Sequence, residues 1–168
     1  TGIRTIGVIG AGQMGNGIAH VCALAGFDVL LNDVSAERLE AGLKTIQRNM
    51  DRQVHRQMIT KDQRDAAVKR LKAANSLADF ADVEFAIEAA TEKEAVKRAI
   101  FDELCPKLAK TAMVATNTSS ISITRLGTST DRPERFIGMH FMNPVPLMQL
   151  VEVIRGLATD QETYDAAV

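Results

Sequence analysis

Short apolar runs alternate along this chain with longer amphipathic stretches, and each kind keeps its own period. Residues 5–9 (TIGVI) are apolar and close on glycine, the length and punctuation of a buried strand. The stretch 15–26, with Met14 just before it, carries Met14, Ile18, Val21, Cys22 and Ala25 at helical spacing, so strand, tight turn and helix follow one another. Residues 28–32 (DVLLN) form a second apolar strand that stops at Asp33, and Ser35 stands where it can cap a helix starting near residue 36. From 36 to 72 the pattern is charged and helical, with a break at 58–61 where Thr60 can cap a second helix. That predicts a helical hairpin, longer than a simple crossover requires.

Further on, residues 83–87 (VEFAI) read as a strand, and 92–110 as a helix opened by Thr91 and Glu94 at capping-box spacing. Residues 112–116 read as another strand, 117–120 (NTSS) as the loop after it, and 122–126 as a short helix. A polar turn through Arg132 and Pro133 leads to a strand at 136–140 and a last one at 147–154. This alternation predicts one α/β domain over 1–168, a mostly parallel sheet with helices on both faces and a helical hairpin inserted at about 36–72. No internal repeat or low-complexity linker interrupts it.

Composition narrows the picture. With 168 residues, 46% of them apolar, the chain can bury roughly 70% of its extended-chain surface in one core. Its 20 basic and 21 acidic residues give a net charge of -1, so no global field points to nucleic acid or an anionic membrane as partner. No apolar run approaches the ~20 residues of a membrane span, and the N-terminus enters a strand without the form of a signal peptide. Cys22 and Cys105 fall in helical patterns without metal-ligand spacing. Two buried thiols, no metal site and a reducing, cytoplasmic setting are the expectation.

The chemistry begins at Gly10-Ala11-Gly12-Gln13-Met14-Gly15. A G-x-G-x-x-G run means little alone, but this one follows a predicted strand and opens a predicted helix. An acidic residue, Asp33, stands 23 positions after Gly10 at the end of the second strand. Gly10 permits the tight turn, Gly12 lets backbone approach a pyrophosphate at the helix N-terminus, and Gly15 lets helix and strand pack closely. Asp33 is then placed to hydrogen-bond the adenosine ribose. A 2′-phosphate beside it would be repelled, and Val34 and Ser35 supply no cation, so the Rossmann-type pattern indicates NAD rather than NADP as cofactor.

Four blocks in order, GAGQMGNGIA (10–19), IEAATE (87–92), TNTSSISIT (116–124) and GMHFMNPVPLMQLVEVI (138–154), resemble the L-3-hydroxyacyl-CoA dehydrogenase family, with the short bacterial 3-hydroxybutyryl-CoA enzymes the nearest match. The resemblance implies NAD-dependent interconversion of a 3-hydroxyacyl-CoA and its 3-keto form. It carries over His140 as general base and acid, Glu152 as its carboxylate partner, and Ser119 as a polar contact to substrate. A histidine titrating near neutrality suits the proton transfer that accompanies hydride loss from a secondary alcohol. His140 also ends a predicted strand, the side of an open α/β sheet where ligands bind. A histidine there is also a common structural hydrogen-bonder. Glu152 reaches it only if the final strand returns alongside, a hairpin that Pro144-Val145-Pro146 allows. His20 and His55, inside helices, suit structural or solvent-facing roles.

The same resemblance makes Glu92, Lys97, Ser119 and Asn143 contacts to the nicotinamide half of NAD. Local physics leaves other readings open: a helix N-terminus for Glu92, a solvated helix-face charge for Lys97, a cap for Ser119 and turn chemistry for Asn143. Arg48, Arg52, Arg56 and Lys61 cluster near the hairpin tip, a segment that in the family helps bind coenzyme A, with Asn49, Arg52 and Arg56 as the candidates; a solvated face is the plainer reading. Family members continue into a helical C-terminal domain that closes the cleft and forms a homodimer, and that domain is absent from this chain. Two other functions fit less well: a dehydrogenase of a small hydroxy acid, and a non-catalytic NAD-binding module.

Overall fold

The computed structural model describes residues 3–90, 93–118, 122–128, 130–141, 151–156 and 158–167, with backbone alone at Val151 and Glu152. Strand β1 (Thr5–Ile9) leads to helix α1 (Gln13–Leu24) and strand β2 (Asp28–Asn32), completing the first β-α-β unit where the sequence places it. Helices α2 (Ala36–His55) and α3 (Lys61–Arg70) form the expected hairpin. Ser35 caps α2, and Thr60 with Gln63 makes a reciprocal capping box on α3. The hairpin also delivers a strand absent from the sequence reading, β3 (Leu71–Ala74), parallel to β2 at the sheet edge.

The second half contains β4 (Phe85–Glu88), α4 (Glu94–Leu104), β5 (Met113–Thr116), α5 (Ile123–Gly127), β6 (Phe136–Phe141), β7 (Val151–Arg155) and α6 (Gln161–Ala167). The predicted helix over 92–110 is shorter because Pro106 cannot continue an α-helical ladder, and residues Cys105–Lys107 tighten into a 3₁₀ turn. Lys93 precedes α4 without a side-chain cap, and the expected cap Thr91 lies outside the described residues. The predicted strand 147–154 is described only from Val151.

The strands lie in the order β3-β2-β1-β4-β5-β6-β7, all parallel except the antiparallel β6–β7 pair. Alternate strand residues feed two cores, as a sheet covered on both faces requires. Val8, Leu31, Phe85, Ile87 and Ala115 join one with α1 and α2, while Ala86 and Val114 join the other with Phe101, Leu104 and Leu126. An edge-to-face contact between Phe101 and Phe136, 5.2 Å between centroids, ties α4 to β6 and adds about 0.5–1.5 kcal/mol beyond area burial. Because β1 lies between β2 and β4, the chain leaves it in opposite directions across the sheet, which opens a crevice at the strands' C-terminal ends.

Candidate functional site

The turn after β1 is built so that only glycine fits at its key points. Gly10 has φ +104°, and a Cβ there would come within 2.8 Å of Ala90 Cα, so both backbone and space exclude a side chain. A Cβ on Gly15 would fall 1.6 Å from the Gly10 carbonyl oxygen. Gly12 is different, since a Cβ there would meet nothing within 4 Å; its open side is the approach that a pyrophosphate needs. Helix α1 starts at this point with no capping side chain and no acidic residue in its first turn, whereas Ser35, Thr60 and Ser122 cap α2, α3 and α5. The first-turn amides of α1 are thus left for an anionic ligand.

Asp33 is locked to the same turn. Its Oδ2 accepts from the Ala11 amide at 2.9 Å and its Oδ1 from the Ser35 amide at 2.9 Å. Each carboxylate oxygen keeps a further lone pair for a ribose hydroxyl. Around it opens a cleft of about 570 Å³ lined by Gly10, Asp33, Val34, Arg38, Ala90, Lys93, Val96 and Ile100, which offers a nucleoside apolar walls and one fixed acceptor. These residues fit NAD. One sequence expectation is corrected: a cation, Arg38, does line the cleft, one turn into α2 and beyond the Val34–Ser35 pair considered for it, so the preference for NAD over NADP rests on Asp33. Replacing Asp33 with alanine is expected to weaken NADH binding by about 10- to 150-fold, the loss of hydrogen bonds to a charged group. Fluorescence titration with NADH and NADPH measures it, and an unchanged NADH affinity would take Asp33 out of the site.

A larger cavity, about 740 Å³, lies at the opposite ends of the strands among Ile3, Glu84, Met113, Arg135 and Glu162. It has neither the glycine turn nor the helix N-terminus, and α/β sheets place ligands at the other end.

Beside the dinucleotide turn the strand ends are joined by a buried polar network. Glu88 ends β4 with its side chain fully enclosed. Its Oε1 accepts from Lys97 Nζ at 2.5 Å and from Thr116 Oγ1 at 2.6 Å, and its Oε2 accepts from the Ala90 amide at 2.7 Å. Lys97 Nζ also donates to the Asn117 carbonyl at 3.2 Å, and Asn117 Oδ1 accepts from the Phe141 amide at 3.2 Å. Lys97 is therefore not the solvated charge that local pattern allows: its side chain is enclosed and its ammonium meets Glu88 and the Asn117 carbonyl, while Lys93 lines the cleft around Asp33. Glu88, Thr116, Asn117 and Arg38 escaped the sequence reading. The available signal was Glu88 itself, a carboxylate closing a fully buried FAIE strand, which demands a partner.

His140 stands half-buried at the end of β6, next to the anchored Phe141. Strand β7 returns alongside as expected, and its register sets the Glu152 backbone opposite His140. Glu92, Ser119 and Asn143 lie outside the described residues, as does the Glu152 side chain. Arg48, Arg52 and Arg56 are exposed at intervals of four along α2 and just past its end, Asn49 is half-buried, and none of the four lines the dinucleotide cleft.

The remaining candidates are structural. His20 is buried with Nε2 2.7 Å from Gln53 Oε1, and burial holds its pKa below the ordinary histidine value. His55 is exposed at the end of α2. Desolvation against the core pushes the partly buried Cys22 thiol up to about 12 and the buried Cys105 thiol to about 11, so neither supplies a thiolate. Among the described residues no cluster of metal ligands forms, and no helix is long and apolar enough to cross a membrane.

Strand order, glycine turn and locked carboxylate together define a Rossmann-type NAD-binding domain. Residues 5–168 match the family described as 3-hydroxyacyl-CoA dehydrogenase, NAD binding domain, and the chain belongs to that family. It is 62% identical over 165 residues to a 3-hydroxybutyryl-CoA dehydrogenase of Bradyrhizobium diazoefficiens, covering 98% of this chain and 56% of that protein. It is 41% identical over 163 residues to a 3-hydroxyadipyl-CoA dehydrogenase of Escherichia coli, covering 97% of this chain and 34% of the relative. The crystal structure of (S)-3-hydroxybutyryl-CoA dehydrogenase from Ralstonia eutropha superposes with a TM-score of 0.95 at 43% identity, covering 98% of this chain and 58% of that one. The chain thus spans about half the length of the 3-hydroxybutyryl-CoA relatives it matches.

Proposed function

We propose that this chain is the NAD-binding half of an enzyme that interconverts L-3-hydroxyacyl-CoA and 3-ketoacyl-CoA, with His140 as general base and acid. The observation that carries the proposal is the position of His140: it ends β6 on the same sheet crest as the glycine turn, with Glu152 as its register partner. Bound NAD supplies the hydride acceptor in one direction, and NADH the donor in the other. His140 takes the proton of the 3-hydroxyl as that carbon is oxidised, and in reverse its imidazolium returns the proton to the 3-keto oxygen. Glu152 orients the ring, a role supported by the backbone separation of about 4.5–5.5 Å between such cross-strand partners. Gly10, Ala11, Gly12, Gln13, Met14, Gly15 and Asp33 hold the adenosine and pyrophosphate. Glu92, Ser119 and Asn143 contact the nicotinamide half, with Ser119 also meeting substrate. Asn49, Arg52 and Arg56 offer the coenzyme A moiety a polar, cationic helix face.

The acyl group is 3-hydroxybutyryl on the strength of the 62% relative, although the 3-hydroxyadipyl relative carries a longer, charged one. The working enzyme is a cytoplasmic homodimer joined through the part that its relatives have beyond this chain, with neither nucleic acid nor membrane as partner. The test is NADH oxidation by acetoacetyl-CoA in a polypeptide of the relatives' length that carries this chain, alongside oxidation of small hydroxy acids. Turnover with acetoacetyl-CoA is expected. Turnover only with a small hydroxy acid, or NADH binding without any turnover, would replace the proposal with the corresponding alternative.

A further inference from the structure

We infer that Lys97 is a positioning residue for this reaction: through Glu88 and Asn117 it sets the end of β6 that presents His140. The inference rests on the general-base reading of His140 given above.

Lys97 occupies a place on α4 where an apolar side chain would do. It shares the buried face of the helix with Phe101 and Leu104, at the spacing of a core stripe. Filling that place with a lysine, and its neighbour with a glutamate, costs the desolvation of two charges, and a hydrophobic pair of similar volume is often no less stable. The pair therefore has to be explained by what it arranges.

What it arranges is the crest of the sheet. The parallel ladder between β5 and β6 ends at Thr116 and Gly138, two residues short of His140. Beyond that point, on the β5 side, the Asn117 side chain takes over and accepts the Phe141 amide. Asn117 is itself fixed by its backbone: its N–H donates to the Glu88 carbonyl at 2.7 Å and its carbonyl accepts from Lys97 Nζ. The ammonium also grips the Glu88 side chain, whose other oxygen holds the Ala90 amide against the glycine turn. One buried cation thus ties the ends of β4, β5 and β6 together, and with them the dinucleotide turn and the residue that moves the proton.

The test compares Lys97→Met, the charge-balanced pair Glu88→Gln with Lys97→Met, Asn117→Ala, which leaves the ion pair intact and cuts the last link, and His140→Ala. Turnover of acetoacetyl-CoA is measured in the polypeptide of the relatives' length, and hydrogen exchange at the Phe141 amide in the 168-residue chain. In every variant that folds at 25 °C, disturbing Lys97 or Asn117 is expected to lower kcat about tenfold or more, because small displacements of a reacting group carry large rate costs, and Asn117→Ala, which leaves Glu88 and the Ala90 amide in place, is expected to keep the KM for NADH unchanged. Phe141 exchange is expected to accelerate in parallel. A folded Asn117→Ala or double variant with wild-type kcat and wild-type Phe141 protection would overturn the inference, as would kcat and NADH affinity failing together in Asn117→Ala. If His140→Ala itself keeps wild-type turnover, the general-base reading fails instead, and Phe141 exchange still decides whether Lys97 and Asn117 hold the strand end.

Discussion

Replacing His140 with alanine is expected to lower kcat for acetoacetyl-CoA reduction by about 10²- to 10⁴-fold, the contribution of a positioned general acid, or about 3–5 kcal/mol of barrier. NADH affinity should not change, because His140 does not line the cleft around Asp33. The split separates a group that moves a proton from one that holds cofactor: kcat and kcat/KM for the acyl-CoA fall together while the Kd for NADH stays in place. His140→Gln tests the same point more narrowly, since glutamine keeps a polar side chain but cannot carry the proton. Both variants should fold, because His140 is only half-buried at a strand end. Wild-type turnover in either, measured by NADH absorbance, would remove His140 from the chemistry.

The part of the fold legible in the sequence is the part set by local physics. The first β-α-β unit runs from apolar strand to glycine turn to amphipathic helix, and β2 ends at Asn32 with Asp33 immediately after it. Ser35 and Thr60 cap the helices they introduce, for the same hydrogen-bonding reason in both cases, whereas Ser122, read from the sequence as the first residue of its helix, is the cap of α5. Strand β3 was hidden because its residues, LKAA, favour helix or loop. It is a strand through its parallel pairing with β2, and only its last residue is buried. Propensity there is overruled by the edge of a sheet that already exists. Pro106 was a visible stop signal, and the predicted helix overran it because the charged pattern continues through Lys107 and Lys110.

The site divides in the same way. The glycine turn and the carboxylate hydrogen-bonded to it could be read because Gly10, Gly15 and Asp33 all lie within one β-α-β unit, at fixed spacing. The buried network beside the dinucleotide turn could not, because its members come from four places: Glu88 on β4, Lys97 on α4, Thr116 on β5, and Asn117 just beyond it. A lysine at this position has the same letter and the same helical phase whether it faces water or the sheet. Sheet order decides between them, by bringing β5 beside β4 and so setting two acceptors where the ammonium ends.

Lys97→Met alone is expected to destabilise the 168-residue chain by about 3–5 kcal/mol, the usual loss when one partner of a buried ion pair is removed. Methionine fills most of the volume, so the loss is not mainly a cavity. It comes from Glu88, which keeps donors at Thr116 and Ala90 but loses its only counter-charge among the described residues, and from the Asn117 carbonyl, which loses its ammonium donor. For a domain of this size such a change lowers Tm by about 6–20 °C, a large fraction of a typical stability of about 5–15 kcal/mol. Adding Glu88→Gln to Lys97→Met removes the stranded charge while keeping an amide that can accept from Ala90 or Thr116. The double variant should therefore be more stable than the single, recovering more than half of the loss. That sign is the informative result, because two independent core substitutions would add rather than cancel. Denaturant unfolding of the three proteins under one buffer measures it. A double variant less stable than Lys97→Met would mean that the cost lies in packing at α4 and not in the charge left on Glu88.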